Sequence, residues 1–244
     1  MIKTKNSFTE EDETEAQNLL SDMNLHSYTN ESLEAIRTGL GASDGDKVLS
    51  VCGCGAQSLA LLEDVGESGE VVAIDNVPRQ LALAKYIAKL VGACDIKKLK
   101  ELNISPKDPG YFSDPKRLNI IAKNLGRLRF KEMDLTDWPD DSETFSRGYF
   151  SNVGVNLVDY SVLFQKGALV YVVYSTLKLP DNIDKFIENR IEQWGTKFIY
   201  AYDVDIERTR EACRIETENG GFYDRRSASG WRDLLWTPAV FRRI

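Results

Sequence analysis

A strand, a glycine turn, a helix and a second strand that ends on an acid follow one another early in the chain. The first strand is predicted over 47–52, and the glycine turn follows at once with Gly53 and Gly55. The second strand is predicted over 70–74 and ends on Asp75. This order is typical of a βαβ unit, in which a helix joins two parallel strands. The chain is therefore expected to contain a parallel sheet covered by helices.

Further apolar runs extend this sheet. Seven strands are predicted, over 47–52, 70–74, 128–133, 148–152, 168–175, 197–202 and 234–241. Apolar residues at helical spacing separate most of them, which favours a mostly parallel α/β architecture. The stretch 92–126 contains several prolines, so it is predicted as a broken helical insertion before the third strand.

The length of 244 residues suits one domain with an attached lid. Residues 1–42 are predicted as that helical lid, and residues 43–244 as the domain that holds the sheet. Leu33, Ile36 and Leu40 fall on one face of a short helix in the lid.

Composition excludes several classes of partner. The net charge of −7 argues against nucleic acid or an anionic membrane as the main partner, because both attract basic surfaces. The longest apolar run, 168–174, is far shorter than the roughly 20 residues of a membrane span. The chain begins without an apolar signal segment and its four cysteines are scattered, so a cytoplasmic location is expected. No metal site is expected, because His26 is the only histidine and Cys52-x-Cys54 lacks the spacing of a zinc site.

The ligand of such a sheet lies at the carboxyl ends of the strands. Gly53 and Gly55 would let the backbone approach a ligand closely. Asp75 can accept hydrogen bonds from both ribose hydroxyls, and Asp134 from the exocyclic amine of adenine. An adenosine-containing cofactor is therefore predicted. NAD is disfavoured because Ser58 stands where its motif has a third glycine, and no Gly-Lys-Ser/Thr follows for a P-loop.

The segment 48–62 resembles motif I of class I S-adenosylmethionine (SAM) enzymes. It departs from ordinary methyltransferases, which usually carry an acid where Ser50 or Val51 stands. It is more similar to the 3-amino-3-carboxypropyl transferases of betaine-lipid synthesis. Their Asp-x-Asn-Pro-Ala-Gln sequence corresponds to residues 75–80 here, and their Ser-Asn strand end corresponds to residues 151–152.

The resemblance implies a class I methyltransferase-like, Rossmann-like fold with SAM as co-substrate. Together with the strand ends it gives a set of predicted cofactor-binding residues: Cys52, Gly53, Gly55, Gln57, Asp75, Asn76, Gln80, Asp134, Leu135 and Ser151.

Three further residues are expected near the reacting atoms. Asn152 is predicted as the polar group nearest the reacting amine or carboxylate, the alternative being a turn residue that caps the next helix. Tyr28 is predicted either to close the site from the lid or to pack there. Tyr174 is predicted to reach the substrate, with a core position as the alternative. His26 is either a base or a surface residue.

The expected function is cleavage of the Cγ–S bond of SAM, which releases methylthioadenosine. The 3-amino-3-carboxypropyl group would pass to a small amine or cyclise to azetidine-2-carboxylate. One alternative is a small-molecule methyltransferase, and another is a non-catalytic nucleotide-binding protein. The partner is thus a small acceptor or none, and the sequence does not indicate the oligomeric state.

Overall fold

The computed structural model describes residues 10–22, 25–138, 143–151, 161–176, 181–193, 202–219, 222–223 and 234–243. The helices are α1 (Glu10–Leu20), α2 (Leu33–Leu40), α3 (Ala56–Val65), α4 (Pro78–Gly92), α5 (Ile96–Leu102), α6 (Pro115–Asn124), α7 (Ile183–Gln193) and α8 (Ile206–Glu218). The strands are β1 (Lys47–Val51), β2 (Glu70–Asp75), β3 (Leu128–Glu132), β4 (Phe145–Ser151), β5 (Phe164–Thr176), β6 (Tyr202–Val204), β7 (Phe222–Tyr223) and β8 (Leu234–Arg243).

One mixed sheet organises these elements. Its strand order is β3-β2-β1-β4-β5-β8-β6, with β7 paired to β8. Strands β1 to β5 pair in parallel, whereas β8 runs antiparallel to β5, β6 and β7. The described sheet has eight strands, so the prediction of seven is wrong. The additional strand, β7, has two residues, too few for a hydrophobic pattern to reveal it. Residues 197–201 of the predicted sixth strand lie outside the described residues.

The predicted βαβ unit is present as β1, α3 and β2. Lys47 to Val51 pair in register with Glu70 to Ile74. Pro78 occupies the first turn of α4, where its missing N–H and fixed φ are tolerated. Between β2 and β3, α5 and α6 are separated by a short 3₁₀ turn at Tyr111–Ser113.

Helix α2 is part of the main core. Its residues Leu33, Ile36 and Leu40 are fully buried, in the same hydrophobic cluster as Tyr149 and Tyr171 of the sheet. Helix α2 therefore packs as an integral element of the sheet domain. A lid formed by residues 1–42 is not confirmed and stays a prediction.

No helix in the described ranges is both long and apolar enough to cross a membrane.

Candidate active site

The carboxyl ends of β1, β2 and β4 meet at one edge of the sheet. The Cys52 N–H donates to the Ile74 carbonyl at 2.8 Å, which continues the β1–β2 pairing into the glycine turn. The Asn76 side chain donates to Asp134 at 3.1 Å, which joins the loops after β2 and β3. Ser151 ends β4 beside this turn. The structure thus brings Cys52, Asn76, Asp134 and Ser151 to one edge of the sheet.

The two glycines of the turn have different environments. Gly53 has φ +49°, and a Cβ built on it would meet nothing closer than the Gln57 amide at 3.9 Å. Gly55 has φ +88°, and its Cβ would lie 2.9 Å from the Ala84 Cβ of α4. Gly53 therefore leaves open space beside the backbone, whereas Gly55 is required where α3 packs on α4.

Asp75 presents a half-buried carboxylate at the end of β2. The Val77 N–H donates to it at 3.0 Å. Burial raises the pKa of Asp75 above its ordinary value, while backbone N–H groups and the nearby His26 oppose that shift. A carboxylate held by its own loop in this way is fixed in position to accept ribose hydroxyls.

Gln80 fastens the N-terminal segment 25–31 to the glycine turn. Its amide nitrogen donates to the Gly53 carbonyl at 2.8 Å and to the His26 carbonyl at 2.9 Å. Its amide oxygen accepts from the His26 N–H at 2.8 Å. The side chain therefore positions the turn, and direct cofactor contact by Gln80 stays a prediction.

A buried carboxylate from the same segment lies at the edge. Glu31 is 3% exposed. Its Oε2 accepts from the Thr29 hydroxyl at 2.7 Å and from the Gln57 amide at 3.2 Å. Its Oε1 accepts from the Ser151 hydroxyl. Segment 25–31, the start of α3 and the end of β4 therefore converge on one carboxylate.

Sequence reasoning missed the roles of Glu31 and Thr29. Both lie in Tyr28-Thr29-Asn30-Glu31, which is next to the predicted lid tyrosine, but Glu31 meets Ser151 across 120 positions of sequence. No local sequence pattern predicts that contact. The one available signal is a polar segment placed immediately before an apolar helix.

The resemblance to motif I points to Ser50 or Val51 as the position where ordinary methyltransferases usually carry an acid. The Ser50 hydroxyl lies 2.8 Å from that of Ser58, and both side chains are buried. The pair links β1 to α3 with neutral groups. Neither Ser50 nor Val51 is an acid, so β1 carries no charged side chain at either position.

Comparison with solved structures identifies the fold. A SAM-dependent methyltransferase from Thiobacillus denitrificans, solved with S-adenosyl-L-homocysteine, has a TM-score of 0.51 at 13% identity, over 93% of this chain and 98% of that one. The fold is that of SAM-dependent methyltransferases.

Two other similar structures score lower. The tRNA (m1A58) methyltransferase TrmI from Aquifex aeolicus has a TM-score of 0.46 at 13% identity, over 94% of this chain and 76% of that one. The [4+2]-cyclase SpnF has a TM-score of 0.46 at 14% identity, over 86% and 78%. No protein-family description and no curated protein sequence matches this chain. The specific kinship to 3-amino-3-carboxypropyl transferases is not confirmed.

The remaining predicted residues occupy varied places in this methyltransferase fold. Cys52 is fully buried, and burial raises the pKa of its thiol well above the usual value. Leu135 packs in the second hydrophobic cluster. Tyr28 is half-buried in segment 25–31, and His26 is exposed. Asn152 lies outside the described residues, so its catalytic role stays a prediction.

Tyr174 lies on the sheet face opposite Tyr171. Tyr171 and Val173 belong to the first hydrophobic cluster, whereas Val172 and Tyr174 pack with the second. The Tyr174 ring meets Phe186 of α7 edge-on at 5.9 Å. This contact agrees with the core alternative, and substrate contact by Tyr174 stays a prediction.

Within the described ranges, no group of three or more histidine, cysteine or acidic side chains could hold a metal ion.

Proposed function

We propose that this chain is an enzyme that binds SAM and cleaves its Cγ–S bond, releasing methylthioadenosine. Use of SAM is supported by two residues at the carboxyl ends of the strands. Asp75 has a fixed carboxylate that can accept ribose hydroxyls, and the space beside the Gly53 backbone is open for a ligand. The reaction type is supported by the neutral residues Ser50 and Val51, since ordinary methyltransferases usually carry an acid at one of these positions. The Ser50 hydroxyl lies beside that of Ser58. The amino-acid part of SAM would then be held differently from the way a methyltransferase holds it.

The chemistry requires little beyond positioning. An amine lone pair forms a bond to Cγ, the Cγ–S electron pair moves to sulfur, and the sulfonium becomes a neutral thioether. The protein must align the amine with the Cγ–S bond and exclude water. If the amine belongs to an acceptor, the product is an aminocarboxypropyl amine. If it is SAM's own amine, the product is azetidine-2-carboxylate. In both cases an amine that starts as an ammonium ion releases one proton.

A small-molecule methyltransferase is the second candidate. The fold similarity to the Thiobacillus denitrificans methyltransferase favours it. In that reaction the acceptor attacks the methyl carbon and S-adenosyl-L-homocysteine remains. The two candidates therefore leave different adenosine products.

The first test is to incubate the purified chain with SAM alone and identify the adenosine product by mass spectrometry. We expect methylthioadenosine above the rate of an enzyme-free incubation, with azetidine-2-carboxylate as co-product if cyclisation occurs. If SAM alone is not cleaved, small amines are added as acceptors. Formation of S-adenosyl-L-homocysteine with any acceptor, without methylthioadenosine, would make the chain a methyltransferase.

Replacing Asp75 with alanine is expected to weaken SAM binding by about 1–3 kcal/mol, because the ribose would lose a charged acceptor. The measurement is isothermal titration calorimetry, and Glu132→Gln, an exposed acid at the end of β3, is the matched control. Wild-type affinity should also fall as pH drops through the raised pKa of Asp75, since the ionised form accepts the hydroxyls. Asp75→Asn should lack that component, and unchanged affinity in folded Asp75→Ala would remove the assignment.

A further inference from the structure

The carboxylate of Glu31 is buried without a cation in the described parts of the chain. The Thr29 hydroxyl, the Gln57 amide and the Ser151 hydroxyl, its described hydrogen-bond donors, are all neutral. Taking an ionised carboxylate out of water is unfavourable unless charge and hydrogen bonds compensate it. The described residues supply these hydrogen bonds but no compensating positive charge.

Glu216 and Tyr149 lie near Glu31, and the Glu31 charge acts on both of them. Glu216 of α8 lies close enough that the Glu31 charge adds to the burial that raises the pKa of Glu216. Tyr149 is fully buried, and its hydroxyl has no partner with hydrogen-bond geometry among the described residues, although Ser151 and Gln57 are near. Burial raises the pKa of the Tyr149 phenol, and the Glu31 charge raises it further. Lys107 pairs with Glu216, so Glu31 is the buried acid of this region that has no described counter-charge.

Glu31 and Asp75 lie near the ends of two strands that are separated by one other strand. Ser151, which donates to Glu31, ends β4, whereas Asp75 ends β2, and β1 lies between these two strands. Neighbouring strands are about 4.8 Å apart, so the two strand ends are separated by roughly 10 Å. A ribose and an amino-acid group joined through one sulfur can span such a distance. The Gly53 turn, with its open backbone, lies between the two ends.

The hydrogen bonds around Glu31 also fix the positions of the side chains that form them. The Thr29 hydroxyl accepts from the Gln57 amide at 2.8 Å while it donates to Glu31. The Thr29 N–H donates to the Ile104 carbonyl at 2.9 Å, which ties the segment to the insertion. Side chains locked by several hydrogen bonds hold a charged ligand group without further ordering.

We propose that Glu31 binds the α-ammonium group of SAM and so takes the place of the acid that motif I lacks. This inference rests on the proposed use of SAM. If SAM's own amine is the nucleophile, the ammonium group that Glu31 binds must lose a proton before it attacks Cγ. It assigns the amino-acid end of the ligand to Glu31, Gln57 and Ser151, and the nucleoside end to Asp75. Segment 25–31 then contributes directly to ligand recognition.

The test compares ligands that differ at the amine. Decarboxylated SAM keeps the adenosine, the positive sulfur, the three-carbon chain and the amine. The methyl-propyl-sulfonium analogue keeps the first three and lacks the amine. Calorimetry on the wild type should show at least tenfold tighter binding of decarboxylated SAM than of the propyl analogue. Equal affinities would overturn the inference, and this comparison needs no variant.

Glu31→Gln, which keeps the size of the side chain and removes its charge, is the matching variant. We expect it to weaken the binding of SAM and of decarboxylated SAM by 10- to 100-fold and to change the binding of the propyl analogue by less than twofold. Asp108→Asn is the control, because Asp108 caps the same end of α2 through the Leu33 N–H at 2.7 Å. It should leave all three affinities unchanged, with thermal unfolding reporting on the fold.

The outcomes separate the inference from the proposed function. An equal loss for all three ligands in Glu31→Gln would mean that Glu31 only holds the fold, and no loss would mean that it does not touch the amine. Either result overturns the inference and leaves SAM use standing. If the wild type binds none of the three ligands, both the proposed function and the inference fail.

Discussion

Replacing Lys107 with methionine is expected to lower the free energy of unfolding by about 3–5 kcal/mol at pH 8. Lys107 and Glu216 form an ion pair whose side chains are 7% and 2% exposed. Without the lysine, an ionised Glu216 would stay buried with no described counter-charge, which is the most unfavourable arrangement for an acid. Urea unfolding followed by circular dichroism measures the loss.

The destabilisation should depend on pH with a defined sign. Burial raises the pKa of Glu216 to about 7, and the attraction to Lys107 opposes that shift. A carboxyl whose folded pKa lies above its unfolded value holds extra protons when folded, so stability falls as pH rises from near 4.5 to the folded pKa. In Lys107→Met the folded pKa rises further. At pH 5 the acid is therefore protonated, and the loss should be much smaller than at pH 8.

A second substitution provides the matched control. Lys107→Met combined with Glu216→Gln removes both charges, and glutamine still accepts the Ser32 N–H that Glu216 now accepts at 2.7 Å. The double variant should regain most of the lost stability at pH 8. Equal losses at pH 5 and pH 8, or a double variant no more stable than the single one, would contradict this account of the pair.

This ion pair also supports the candidate site. It joins the insertion, through Lys107, to α8, through Glu216, and Glu216 holds the backbone of Ser32. Ser32 directly follows Glu31 in the chain. The two partners are 109 positions apart, so sequence inspection had no means of pairing them.

The elements that the sequence predicted well have local causes. Strands β1 and β2 follow from short β-branched runs, and α4 begins at Pro78 because proline suits a first helical turn. Asp75 was placed at the sheet edge because an acid that ends a parallel strand must lie there. Such features need only a few consecutive residues, and the structure reproduces them.

The features that the sequence did not reveal depend on distant contacts. Glu31 acquires its significance from Gln57 and Ser151, which other elements bring to it. The hydrogen bonds that join Gln80 to segment 25–31 likewise form only in the folded chain. The lack of a described counter-charge for Glu31 is significant only because its side chain is buried. Burial depends on the whole core, so no local sequence pattern reveals it.

Gly55→Ala is expected to lower the free energy of unfolding by about 3 kcal/mol. Its φ of +88° strains a residue with a Cβ, and that Cβ would lie 2.9 Å from the Ala84 Cβ. Adding Ala84→Gly removes the closest contact and leaves the φ strain. In a double-mutant cycle the pair should therefore be at least about 1 kcal/mol more stable than the sum of the single variants. Strict additivity would show that packing on α4 is not the reason for this glycine.

Gly53→Ala is the matched variant in the same turn. It should lower stability less than Gly55→Ala does, and SAM affinity more. With φ +49° and no atom within 3.9 Å of the added Cβ, it should lower stability by only about 1 kcal/mol. Its methyl group, however, would stand in the open space beside the turn, where the proposed ligand approaches the backbone. SAM affinity, measured by calorimetry, should fall more in Gly53→Ala than in folded Gly55→Ala. If Gly53→Ala binds SAM as tightly as the wild type, the ligand does not pass over this glycine, and the G-x-G pattern at this turn reflects helix packing alone.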